Sequence, residues 1–244
     1  KMRSYVEAVG LFERAVAIDE NHIGRDHPGI VRSLTNLALV LQEQGLIDRA
    51  VRLFERALRI TENAFGDEHP AVAVGLASLA VAKTDQKKYV EAAALFERAL
   101  RLQQEFLGRN HPAAALTMIN WGQLHVTTKT YEQAEKLFED ALAIHESVHG
   151  IDDKIVADDL TRLGLLLKET GDYTGAQEKQ HRALKIRESA LGPYHPEVGA
   201  SLNNFGSALY QTGRFVEARP LFERAAAIYE QAFGKNHPDV ATSL

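Results

Sequence analysis

The string His145-Glu146-Ser147-Val148-His149 is where residue types and spacing come closest to a catalytic motif. On a helix, HExxH sets two imidazoles on one face for zinc and holds a carboxylate where it can activate water, the chemistry of a zinc hydrolase. Such a site needs a third ligand and an open coordination position, and nothing downstream supplies a recognisable ligand. The positioning elements weaken the reading further. His-Pro recurs at His27-Pro28, His69-Pro70, His111-Pro112, His195-Pro196 and His237-Pro238, always in steps of 42 residues, with Asp153-Lys154 at the one missing beat. In that register His145 stands where other units carry Thr61, Gln103, Arg187 and Tyr229. His149 fills a slot otherwise held by Phe65, Leu107, Leu191 and Phe233, so the second histidine occupies a hydrophobic position.

Other chemistry is sparse. Two helices per unit, each about 8–10 Å across, would separate neighbouring His-Pro histidines by roughly 20 Å, too far to share a metal ion. These histidines read as helix-start residues. The chain has no Walker A sequence, no Gly-x-Ser-x-Gly elbow and no GxGxxG loop, so no cofactor, nucleotide or acyl-transfer site is expected. Lys plus Arg number 28 against 33 Asp plus Glu, a net charge of −5 that leaves no broad positive field for nucleic acid. No apolar run approaches the roughly 20 residues of a membrane-spanning helix. The chain has no cysteine, which suits a reducing compartment and makes the cytoplasm the expected location.

A period of this size marks stacked supersecondary units. Strings such as Leu53-Phe54-Glu55-Arg56-Ala57 and Leu95-Phe96-Glu97-Arg98-Ala99 recur in step, each preceded by an alanine such as Ala50 or Ala92. Their three- and four-residue spacing of apolar positions predicts an amphipathic helix, here helix B. Glu55 with Arg59, and Glu97 with Arg101, are expected as i to i+4 pairs on its wet side. Gly24, Gly66, Gly108, Gly150, Gly192 and Gly234 close helix B, in the left-handed conformation glycine takes after a helix end. Proline then opens helix A at its first position, where the missing amide hydrogen costs nothing. A small residue recurs in helix A at Ala38, Ala80, Gly122, Gly164 and Gly206, where helix B of the same unit should press close. The expected organisation is one all-α array: helix B of a partial unit at 1–24, full units at 27–66, 69–108, 111–150, 153–192 and 195–234, and the start of another at 237–244. The chain reads as a fragment of a longer array.

These residues resemble the tetratricopeptide repeat. Its pattern of large, Leu and small residues in helix A, then Ala, Phe and Ala in helix B, is met by Met118, Trp121 and Gly122, then Ala134, Phe138 and Ala141. The 42-residue spacing, the Gly-x-x-His-Pro joint and Ser201-Leu202-Asn203-Asn204-Phe205-Gly206 look like the kinesin light chain type. The resemblance implies a right-handed α-solenoid, a superhelix of antiparallel helix pairs whose A helices line a concave groove that grips a peptide or partner protein. Carried over by position, the groove set is Arg32, Thr35, Asn36, Ser78, Asn120, Gln123, Arg162, Lys168, Asn203, Asn204 and Ser207. Asn36, Ser78, Asn120, Arg162 and Asn204 share one slot, and an asparagine amide offers the donor and acceptor that any peptide backbone requires. The plainer alternative is a set of polar residues on a solvated helix face.

Two further readings stand beside an interaction module. In family terms such arrays are often sensor or regulatory arms of larger signalling ATPases or proteases, and apolar end faces are open to end-to-end or other self-association. The unit at 153–192 departs twice from the pattern, with Asp153-Lys154 for His-Pro and Gln180 for the helix-B phenylalanine. Gln180 is expected to turn toward water, the alternative being a local softening or change of curvature that shapes the ligand site.

Overall fold

The computed structural model describes residues 2–243. Among them lie α1 (Met2–Ile23), α2 (Val31–Glu43), α3 (Ile47–Phe65), α4 (Pro70–Asp85), α5 (Tyr89–Leu107), α6 (Pro112–Thr127), α7 (Tyr131–His149), α8 (Lys154–Thr170), α9 (Tyr173–Leu191), α10 (Pro196–Gln211), α11 (Phe215–Phe233) and α12 (Pro238–Ala241), and no strand. A 3-10 turn, Pro28–Ile30, leads into α2. The chain divides into two compact units, Lys1–Leu124 and His125–Leu244, with the boundary inside α6. Within the first, α2 packs on α1 and α3, and α4 on α3 and α5; within the second, each helix from α8 to α11 packs on its neighbours in sequence.

The first unit buries Leu34, Leu41, Phe54, Leu76 and Leu102 in one cluster and Phe96, Ala80 and Ala92 in another, the ring of Trp121 stacking at 6.5 Å from that of Phe96. Each such large side chain contributes about 1.5–3 kcal/mol by leaving water, so Phe96→Ala would cost about 3–5 kcal/mol with its cavity. In the second unit Leu160 and Leu163 pack with Ala134, Phe138 and Ala183, while Leu202 packs with Ala225 and Ile228. The small-residue slot does bring helices A and B together. A Cβ on Gly206 would lie 2.9 Å from the Phe222 ring, and one on Gly164 would lie 2.5 Å from Nε2 of Gln180.

Gln180 therefore does not face water. It is 1% exposed, and its Nε2 donates to the Thr161 carbonyl at 3.1 Å. Glycine at 164 leaves room for the amide to turn inward, and α8 supplies a backbone acceptor that a phenylalanine could not use.

The joints explain the His-Pro period. At each of His27, His69, His111, His195 and His237 the imidazole Nδ1 accepts from the amide two residues on, at 3.0 to 3.3 Å. Each histidine is thus a side-chain N-cap, satisfying one of the amides that a helix start leaves unpaired. Asp153 does the same with Oδ1, accepting from Ile155 at 2.8 Å, so the missing beat preserves the cap while changing its chemistry. The rings of His69 and His237 also pack on Phe65 and Phe233, at 4.9 and 4.6 Å between centroids.

Two sequence expectations are corrected here. The glycines that close helix B have positive φ but extended ψ, as at Gly66 (86°, 159°) and Gly108 (90°, 156°). This region lies outside the left-handed helix and is essentially reserved for glycine. The helix-B charges, moreover, act mainly between helices. Glu55 pairs with Lys83 at 2.8 Å, and Arg101 takes Glu68 at 2.8 Å while Glu105, four residues on, stands at 3.6 Å. Arg98 reaches back to Glu62 on the preceding helix B and to the Asp67 carbonyl; Arg182 makes the equivalent contacts with Glu146 and the Ile151 carbonyl.

Candidate partner-binding face

The residues assigned to a binding wall fall on α2, α4 and α6 in the first unit and on α8 and α10 in the second. On α2 Arg32 is exposed, and Thr35 and Asn36 are half-buried; on α6 Asn120 is half-buried and Gln123 exposed. Ser78 on α4 is half-buried, and its hydroxyl donates to the Val74 carbonyl at 3.0 Å, a bond within its own helix. In the second unit Arg162 is exposed, while Lys168, Asn203, Asn204 and Ser207 are half-buried.

Several of these side chains are held by neighbouring A helices. Lys168 Nζ on α8 donates to Ser207 Oγ on α10 at 3.3 Å, and Asn203 Nδ2 on α10 donates to Ser243 Oγ at 2.7 Å. In the first unit Gln42 Nε2 on α2 donates to Asp85 Oδ2 on α4 at 2.5 Å. Asn36, Asn120 and Asn204 behave differently. Among the described residues none of the three enters a side-chain hydrogen bond or ion pair. One slot, in three A helices, thus carries half-buried amides whose donors and acceptors remain available to a bound backbone.

A second polar position lies on helix B. The slot of Thr61, Gln103, His145, Arg187 and Tyr229 is buried in these five units and half-buried at Asp19 in α1, and Asp19, His145 and Arg187 each meet a polar residue fourteen positions later, Ser33, Asp159 and Ser201. Arg187 donates to Ser201 Oγ at 2.7 Å, to Thr161 Oγ1 at 2.9 Å and to Asp158 Oδ1 at 2.6 Å. It therefore neutralises Asp158 and fixes Thr161, both on the α8 face, from beneath. The signal was a polar residue of changing type in one otherwise regular helix-B column.

His145 occupies the same column, and this decides the fate of its motif. It is 3% exposed, with Nδ1 2.6 Å from Oδ2 of Asp159, itself 2% exposed. Burial raises the Asp159 pKa above its ordinary value, the hydrogen bond and charge of His145 opposing that rise. Glu146, the residue that would activate water, is held by Arg182 at 2.6 Å, and the His149 ring lies 5.8 Å from that of His145 on the exposed side. Among the described residues no group of three His, Cys, Asp or Glu side chains converges to hold a metal ion. The motif is a buried joint contact whose carboxylate partner comes from α8.

An open depression of about 860 Å³ lies between α10, α11 and α12, lined by Ser207, Tyr210, Phe215, Phe222 and Thr242 among others. Of the candidate wall residues only Ser207 borders it.

The tetratricopeptide repeat profile matches residues 1–63, 34–102, 72–147, 156–231 and 200–244. The chain belongs to the tetratricopeptide repeat family. Its folded neighbours are of the kinesin light chain-like kind. BtubC (BKLC) from P. vanneervenii is 23% identical with a TM-score of 0.77, covering 98% of this chain and 92% of its own. A putative kinesin light chain from Podosopora anserina, with nearly identical TPR-like repeats, is 24% identical with a TM-score of 0.76, covering 85% and 98%. MamA from Desulfovibrio magneticus RS-1 is more distant, at 15% identity and a TM-score of 0.59, covering 83% and 97%. No curated protein sequence matches the chain. The architecture is an all-α tetratricopeptide solenoid, a fold generally used as a non-catalytic protein-interaction scaffold. Among the described residues no helix is long and apolar enough to cross a membrane.

Proposed function

We propose that this chain is a non-catalytic interaction module whose A-helix face holds a peptide or partner segment in extended form. The observation that carries the reading is the asparagine slot: Asn36, Asn120 and Asn204 recur at one register position, with amides that meet no side-chain partner among the described residues. These amides keep contact with water, and exchanging that water for the N–H and C=O groups of an extended backbone would leave both donor and acceptor satisfied. The cysteine-free sequence fits work in the cytoplasm. Affinity capture with this chain as bait, compared with a variant carrying Asn120→Ala and Asn204→Ala, tests the assignment. Specific partners are expected to fall away from the variant. Equal recovery of every partner by both baits would remove the face from the proposal.

A further inference from the structure

The first unit departs further from a rule that the second keeps more nearly, Leu165 on α8 (41% exposed) and Tyr210 on α10 being the exceptions there. A helix packed on one side is expected to be polar on the other, as α8 is with Asp158, Arg162 and Lys168. By contrast α4 and the first half of α6 are apolar nearly all round. Val72, Ala73, Leu76 and Leu79 supply the packed side of α4, Ala77 and Val81 pack half-buried at its margin, and Val74 stands out on the opposite side. Leu39 on α2, Val74 on α4 and Leu116 on α6 are 47%, 63% and 59% exposed. Arg32, Val74 and Leu116 share the slot four residues before the asparagine slot, and Leu39 and Val81 share the slot three residues after it. The bare side chains therefore flank the available amides.

This face also has an electrostatic edge. Glu43 and Asp85 lie seven residues beyond Asn36 and Ser78, on the same sides of α2 and α4 and at their C-terminal ends. Among the described residues neither is in an ion pair. Asp85 is contacted by the neutral amide of Gln42, and Asp48 in the first turn of α3 by that of Gln86 at 2.6 Å. The partial negative charge of the α2 and α4 C-termini adds to Glu43 and Asp85, so a cation is the complementary group there.

We propose that the face of α2, α4 and α6 in the first unit binds an extended segment whose side chains alternate between apolar and cationic residues. The proposal rests on the A-helix face being the binding face. An extended chain sends successive side chains to opposite sides, so one set lies over Val74 and Leu116 and the other over Glu43 and Asp85. The Asn36 and Asn120 amides pair with the backbone between them.

Selection of a random displayed peptide library on the intact chain, followed by anisotropy measurements with the strongest synthetic peptide, tests this. Enriched peptides should show Leu, Ile, Val or Phe alternating with Lys or Arg. The exposed-site variant Val74→Ser with Leu116→Ser should weaken the peptide about tenfold or more, from the apolar area lost. Glu43→Gln with Asp85→Asn should weaken it too and flatten its salt dependence. Glu178→Gln on α9, an exposed helix-B position outside the candidate face, should leave it unchanged, and thermal melts confirm that each variant folds. Acidic or apolar-free peptides that still need Asn36 and Asn120 would overturn the proposal while leaving the binding face intact. Peptides indifferent to every A-helix substitution would overturn both, and a selection without enrichment would overturn the proposal.

Discussion

The two compact units share one repeat and distribute polarity in opposite ways. In the first, the fully buried members of the helix-B column, Thr61 and Gln103, are neutral, and the half-buried Asp19 at its start is met, among the described residues, only by the Ser33 hydroxyl, while bare apolar side chains lie on the A-helix face. In the second the column carries His145 and Arg187, which meet Asp159 and Asp158, and the face shows Arg162 and Lys168. The hydrophobic slots that define the fold are common to both. The remaining slots are free to vary, so stacking and surface chemistry are set by different residues of the same helix.

The sharpest break in this comparison comes from its buried charges. Arg187→Ala should cost about 3 kcal/mol, since it leaves Asp158 and Ser201 without their donor, and Arg187→Met should cost clearly less. Gln103→Ala in the first unit should cost about 1 kcal/mol. Equal losses in denaturant unfolding would mean that the charged column is not special to the second unit. Next in size is Gly206→Ala, which drives a methyl into the Phe222 ring and should cost about 1–2 kcal/mol after the gain in helix propensity. Gly75→Ala in the first unit meets only the flexible end of Leu58, at 3.2 Å, and should be neutral or stabilising by up to about 1 kcal/mol.

The caps sharpen the comparison at lower energy. His69→Ala should cost about 1 kcal/mol in thermal unfolding, and His69→Asp should restore most of it, because Asp153 already performs that role in the second unit. The smallest effect is the most diagnostic in pH. Burial lifts the folded pKa of Asp159, so its stabilising contribution is fully present below the unfolded value, about 3.9, and is lost as pH rises through the raised folded value. Asp159→Asn keeps an acceptor for His145 without the charge. It should therefore raise Tm near neutrality, with the advantage vanishing toward pH 3–4, roughly where both side chains are uncharged. A constant difference across that range would contradict the buried-charge reading.

The helix pairs and their joints were legible because a strict period superimposes independent instances of each slot. The cap role of the histidines followed from the Pro beside them, and Asp153 could be seen as a departure but not as a functional substitute. Gln180 was misread because one residue type in one column says nothing about room, which depends on Gly164 across the helix pair. The i to i+4 charges were misassigned for a related reason, since Lys83 and Glu68 approach only once the helices pack. At the candidate face, the shared asparagine slot was readable from register. That Lys168, Ser207 and Asn203 are held by lateral bonds was not, because each partner lies 39 or 40 residues away in sequence.

The asparagine slot is tested most directly by following side-chain amide resonances in an NMR titration of the intact chain with its strongest selected peptide. Large shifts at the Nδ2 protons of Asn36 and Asn120, with little change along α3 and α5, are the predicted result. Shifts confined to the B helices, with both asparagine amides unmoved, would contradict it.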